Sequence, residues 1–193
     1  MARATSFSIL SLVLVFTLLP LSLAAGQVLC RSEADDVAAL RMFTRAVNAY
    51  VELHRQVEDP LSPTWICSDP EAVAAATEQL GDAIRAARAE AARGDIFVPE
   101  VADLFRVRIL AAGSERNRTD VPAGLEDEGG PCMPLPAVNS RFTLAGSTPI
   151  GEAVARALPG LPPELDYRFV GRALILVDVN ADLVVDVLAE ARP

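Results

Sequence analysis

Residues 161–188 read LPPELDYRFVGRALILVDVNADLVVDVL, and how this stretch is read decides the fold. Tyr167, Arg168, Phe169 and Val170 form one run, and a second runs from Ala173 to Val177 without a polar break. Both are dominated by β-branched and aromatic residues, and Gly171-Arg172 between them is a hairpin signal. Asn180-Ala181-Asp182 marks a second turn, because Asn and Asp tolerate left-handed backbone angles and bond their own backbone. Residues 183–188 make the third run. Strand period places Leu183, Val185 and Val187 on one face, and Val184, Asp186 and Leu188 on the other. Neither face is polar throughout, so the pattern predicts one face covered by helix and the other partly wet. A meander this small needs such a cover.

The chain ahead of it supplies helices. Ser32-Glu33-Ala34-Asp35 resembles a capping box with Asp in place of Glu, so a first helix starts near Glu33. Leu40, Phe43, Val47, Tyr50, His54 and Val57 then recur at alternating spacings of three and four, a seam for one arm of a helical hairpin. Asp59-Pro60 and Ser62-Pro63 end it. Ser68 or Asp69 caps a second helix, with Pro70 in its first turn and Gly94 as the expected stop. Its stripe is Val73, Ala76, Leu80, Ile84 and Ala87. Pro99 opens a third helix that buries Val101, Leu104, Phe105 and Ile109 and closes at Gly113. A fourth, short helix is expected after Ser147-Thr148-Pro149, and a short strand across residues 138–144.

The predicted class is therefore α+β: an antiparallel helical hairpin or three-helix unit, then a small antiparallel β-meander with one short helix. Residues 1–26 read as a signal peptide: Arg3, an apolar core over 7–19, Pro20, and the small residues Ala24-Ala25-Gly26 before the cleavage point. Residues 27–113 form the helical region. Residues 114–136, rich in Gly, Pro and acids, read as a flexible linker. Residues 137–193 form the C-terminal module. The expected location is thus secreted or periplasmic, with no membrane span after cleavage. Cys30 invites a lipoprotein reading, but the bulky Leu29 before it argues against acylation.

The formal charge is -9, and all seventeen basic residues are arginine. An acidic chain without a cationic cluster does not suit nucleic acid, whose phosphates demand one. No GxSxG, phosphate loop, HExxH or paired CxxC occurs in the sequence, so no cofactor is implied. The preferred disulfide is Cys67–Cys132, with Cys30–Cys132 next. A first helix about 38 Å long would hold Cys30 away from Cys67 in an antiparallel hairpin.

His54, the sole histidine, lies on the apolar seam and reads as a boundary residue bonded to a neighbour. One histidine and three scattered cysteines lack the spacing of a zinc site. Asp178, Asn180 and Asp182 mimic the opening of a calcium loop, but Leu183 stands where the loop needs Gly and Ala189 where it needs Glu. They read instead as a hairpin turn with solvated acids. Glu126-Asp127-Glu128 reads as a solvated run, with weak cation binding as the functional alternative. Asn117-Arg118-Thr119 is a glycosylation sequon that matters in a eukaryotic source.

The segment RGDIFVPEVADLFR (93–106) and the stretch 161–188 resemble uncharacterised secreted proteins of Gram-negative bacteria. These combine a helical first half with an ending of the type "LP-P-L-YR-VGR-LIL-D-AN-IVD". The resemblance implies an envelope location and no known activity. Over about thirty residues, the final strands are also similar to the C-terminal hairpin of periplasmic proteins of the nickel/cobalt-homeostasis regulator type, whose His-rich content this chain lacks. The expected function is a non-enzymatic interaction or binding module acting on an envelope or periplasmic protein. Tyr167 and Phe169, taken as exposed apolar positions, are its contact candidates. The alternatives are a small carboxylate-dependent hydrolase and a weak cation-binding protein.

Overall fold

Ser32 and Asp35 cap each other: the Asp35 N–H donates to Ser32 Oγ at 3.2 Å, and the Ser32 N–H to Asp35 Oδ2 at 3.1 Å. This reciprocal pair opens α1 (Glu33–Glu58), as the sequence predicts. Residues 31–61, 69–116, 134–144 and 146–192 of the chain are described by the computed structural model, with backbone alone at 114–116. The signal segment, Cys30, Cys67, Cys132, the Asn117 sequon and the acidic run at 126–128 lie outside the described residues.

Asp69 caps α2 (Pro70–Ala87), accepting from the Glu71 N–H at 3.1 Å. The helix ends well short of the expected stop at Gly94. At Arg88 the chain leaves helical geometry, and its carbonyl accepts from Asn139 Nδ2 at 2.6 Å instead. Gly94, at φ +90, serves the turn that follows. The third helix, α3 (Pro99–Arg116), opens at Pro99 as expected and runs on past Gly113.

The sheet follows: β1 (Thr148–Pro149), α4 (Glu152–Ala157), β2 (Leu165–Val170), β3 (Ala173–Asp178) and β4 (Leu183–Leu188), antiparallel and in that order. Two expectations are corrected here. Thr148 and Pro149 do not cap a helix; they pair with Phe169 and Arg168 as an edge strand. A sheet edge tolerates Pro because no ladder N–H is needed there. The segment 138–144 makes only an isolated bridge, Arg141 to Leu183. It still satisfies the outer edge of β4: the Asn139 N–H donates to Val184 O and the Phe142 N–H to Asp182 O, at 2.8 and 2.7 Å.

A bulge in β4 breaks the simple alternation. Leu176 pairs with Asp186 while the next residue, Val177, pairs with Val184, so Val185 is an extra residue. Beyond it the phase reverses. Val187 joins Val184 on one face, and Leu188 joins Leu183 and Val185 on the other. Asp186, opposite the helix-facing Leu176, turns toward the helices. A simple period of two had put Val187 with Leu183 and Leu188 with Val184.

The helices and the inner sheet face share one core. Phe43, Phe105 and Tyr167 meet with ring centroids 5.0–6.4 Å apart, and Phe97 packs on the first two. Leu80 and Ile84 of α2 and Leu174, Leu176 and Leu183 of the sheet join them. The α+β expectation, with the helices sheltering the meander, thus describes the molecule. The outer face is partly wet, as expected: Ile175, Val177 and Val184 are sealed, with Phe142 and Val138 among their neighbours, while the side chains of Asp166 and Arg168 on β2 stay 41 % and 24 % exposed. Tyr167 and Phe169 are only 4 % and 5 % exposed. They are core residues of β2, not the open contact positions expected from sequence, because the register of β2 aims odd-numbered residues at the helices.

Candidate functional site

The last third of α1 carries Tyr50, His54 and Glu58 one turn apart on a single stripe, with Arg55 beside it. The fold brings this stripe against the end of β3 and the segment before β2. There Asp178 receives four hydrogen bonds. Tyr50 Oη donates to Oδ2 at 2.7 Å, and His54 Nδ1 lies 2.5 Å from the same oxygen. The backbone N–H groups of Asn180 and Ala181 donate to Oδ1, each at 3.0 Å. Both His54 and Asp178 are fully buried.

Around this pair stand further charges. Glu58 Oε2 approaches His54 Nε2 to 3.3 Å, off the hydrogen-bonding direction, so Nε2 has an ionic neighbour but no hydrogen bond. Arg55 Nε and Nη2 both donate to Glu164 Oε1, at 3.0 and 2.8 Å. Glu164 Oε2 is buried without a hydrogen-bond partner among the described residues. The Arg88 guanidinium lies 4.9 Å from the centroid of the Tyr50 ring.

These neighbours move the ionisable groups in opposite directions. Burial pulls His54 downward, but the Asp178 hydrogen bond and the charges of Asp178, Glu58 and Glu164 outweigh it and hold the imidazole above its ordinary value. Burial raises Glu164, yet the hydrogen bonds from Arg55 more than offset it and leave the carboxyl lowered. Burial and the adjacent Asp178 carboxylate push the Tyr50 hydroxyl strongly upward, so it acts as a donor.

Chemically, the cluster is a device for holding a proton between carboxylates. A base would need Nε2 to reach a substrate, and in this structure it faces Glu58 inside the protein. Asp178 has no capacity left for a cation, since both oxygens are engaged. The turn at 180–182 forms as expected, with Asp182 at φ +47, but Asp178 is not the solvated acid the sequence reading made it. His54 is bonded to a neighbour as expected, though deep inside and not at a boundary.

A second buried carboxylate, Asp186, was missed from sequence. Its Oδ1 accepts from Gly94 N–H at 2.8 Å and from Val187 N–H at 2.7 Å; its Oδ2 accepts from Ile96 and Phe97 N–H, each at 2.8 Å. It pins the turn before α3 to β4. The signal that could have revealed the first cluster is Tyr-x-x-x-His-x-x-x-Glu on one helical stripe. For the second, sequence carries no equivalent signal, because the partners are main-chain groups.

Among the described residues, no cluster of His, Cys, Asp and Glu is arranged to hold a metal ion. Nor is any described helix long and apolar enough to cross a membrane. No family model, no curated protein and no solved structure matches this chain. The functional reading therefore rests on its own geometry.

Proposed function

We propose that this is an exported protein of the cell envelope that acts by binding another protein, not by catalysis. Export rests on the signal-like pattern of residues 1–26. The binding reading is carried by one observation: Val107 and Leu110, one turn apart on α3, are 58 % and 55 % exposed. The ionisable groups of the interior, by contrast, are closed upon one another. Neighbouring exposed apolar side chains on a helix fit a partner that covers them with an apolar face of its own. The contact candidates thus pass from Tyr167 and Phe169 to α3.

The test is site-specific photocrosslinking in the native host, with the crosslinker at position 107 and, as control, at Glu71 on α2. A discrete adduct from position 107 alone, lost on L110E, supports the reading. Equal labelling from both positions sinks it. A reporter fused behind residues 1–26 should leave the cytoplasm.

The convergence of Asp178, Glu58 and Glu164 on His54 favours a second reading, a carboxylate-dependent hydrolase whose site opens when the end of α1 lifts. Turnover of an ester or glycoside panel by the wild type, abolished in H54Q, would establish it. The cation-binding alternative is tested by calorimetric titration with calcium.

A further inference from the structure

We propose that His54 is a pH-sensitive latch: its proton sets how firmly the C-terminal end of α1 holds the end of β3 and the turn after it. This inference does not depend on export or on a partner. It rests on where the ring sits. From α1 it is faced by Tyr50, Arg55 and Glu58, from the segment before β2 by Glu164, and from β3 by Asp178. Arg88, just past α2, stands over the Tyr50 ring. The latch lies where three separate parts of the chain meet, and the ring that joins them is fully buried.

With the proton on, the imidazolium presents Nδ1–H to Asp178 and Nε2–H toward Glu58. With the proton off, Nδ1–H still donates to Asp178, but the Nε2 lone pair faces the Glu58 oxygen 3.3 Å away. Arg55 and the more distant Arg88 then remain as the cations facing three carboxylates. Glu58, whose side chain is 38 % exposed, can relieve the clash by turning to solvent. That takes the ionic neighbour away from a buried ring nitrogen that has no hydrogen bond among the described residues, an unfavourable state. The surrounding carboxylates hold the folded-state value above the unfolded one. The stabilising contribution is therefore complete below about pH 6.5 and fades as pH rises through the higher folded value. The latch loosens in mildly alkaline surroundings and tightens in acidic ones.

Because the chain has one histidine, its imidazole resonances are unique in an NMR titration of the intact protein. The expected midpoint lies above about 6.5, and E58Q moves it down, because it removes one of the carboxylates that favour the charged ring. Between pH 6 and pH 9, the wild-type Tm should fall by about 3 °C more than that of H54Q. A midpoint at or below the free-histidine value overturns the proposal, and so do parallel Tm profiles for wild type and H54Q. If H54Q fails to fold, E58Q decides by the same measurement: its Tm must begin to fall at lower pH than the wild type's, and coincident curves refute the latch.

Discussion

Asp178 and Asp186 are both sealed inside the protein, both face the helices, and each accepts four hydrogen bonds. They differ in what donates. Asp178 takes two of its bonds from side chains, Tyr50 and His54, and two from the turn that follows it. Asp186 takes all four from main-chain N–H groups. A carboxylate held by side chains can be tuned, since its partners titrate and can be exchanged. One held by the backbone is fixed by the path of the chain. The two ends of the helix–sheet junction therefore have different characters: a responsive one near His54 and an inert one at the turn before α3.

The largest test of this contrast is D186A. It strands main-chain donors at Gly94, Ile96 and Phe97 in the interior, and should cost about 4 kcal/mol, read as a lower midpoint in urea. D178N keeps the shape but presents an amide to four donors, and should cost about 3 kcal/mol. It should also flatten the alkaline fall of Tm, which D186A leaves intact. If D186A altered the pH profile and D178N did not, the contrast would be reversed.

G81A probes the responsive end from the other side. A Cβ on Gly81 of α2 would stand 2.7 Å from Ala181 O, in the turn that feeds Asp178. Backbone cannot yield as a side-chain tip does, so the substitution should cost about 2 kcal/mol, measured by thermal or chemical unfolding. Smallest is Y50F, which removes one of the four donors to Asp178. It should cost about 1 kcal/mol and leave the His54 titration in place, which confines the pH response to the imidazole.

Much of the scaffold was legible in the residues. The seam Phe43, Val47, Tyr50 and His54 is buried as its spacing requires, and Val101, Leu104, Phe105 and Ile109 face inward on α3. Such positions can be read because a helix repeats its environment every turn. The misreadings have local causes. Val73 was placed on the buried stripe of α2 but is exposed, being near the start of that helix. The phase of β4 was lost at the Val185 bulge, which inserts one residue without changing composition. With that phase went Asp186, read as one polar position on a mixed face. Asp178 looked solvated because an Asp before a turn usually is, and only a contact 124 residues distant makes it otherwise. Tyr167 and Phe169 looked like contact positions because period alone does not say which sheet face the helices cover.

Both aspartates belong to the final strands, while their partners on α1 and before α3 are made long before them. His54 and Asp178 are 124 residues apart, and Gly94 and Asp186 are 92. During synthesis, the helices can take shape and pack on one another through Phe43, Phe97 and Phe105 as soon as they are free of the ribosome, yet nothing fastens them to the sheet until residues 178 and 186 arrive. Closures this distant in sequence form slowly. Commitment to the native state thus waits for the last strands of this fold, and a nascent polypeptide halted before residue 178 should remain open to proteases.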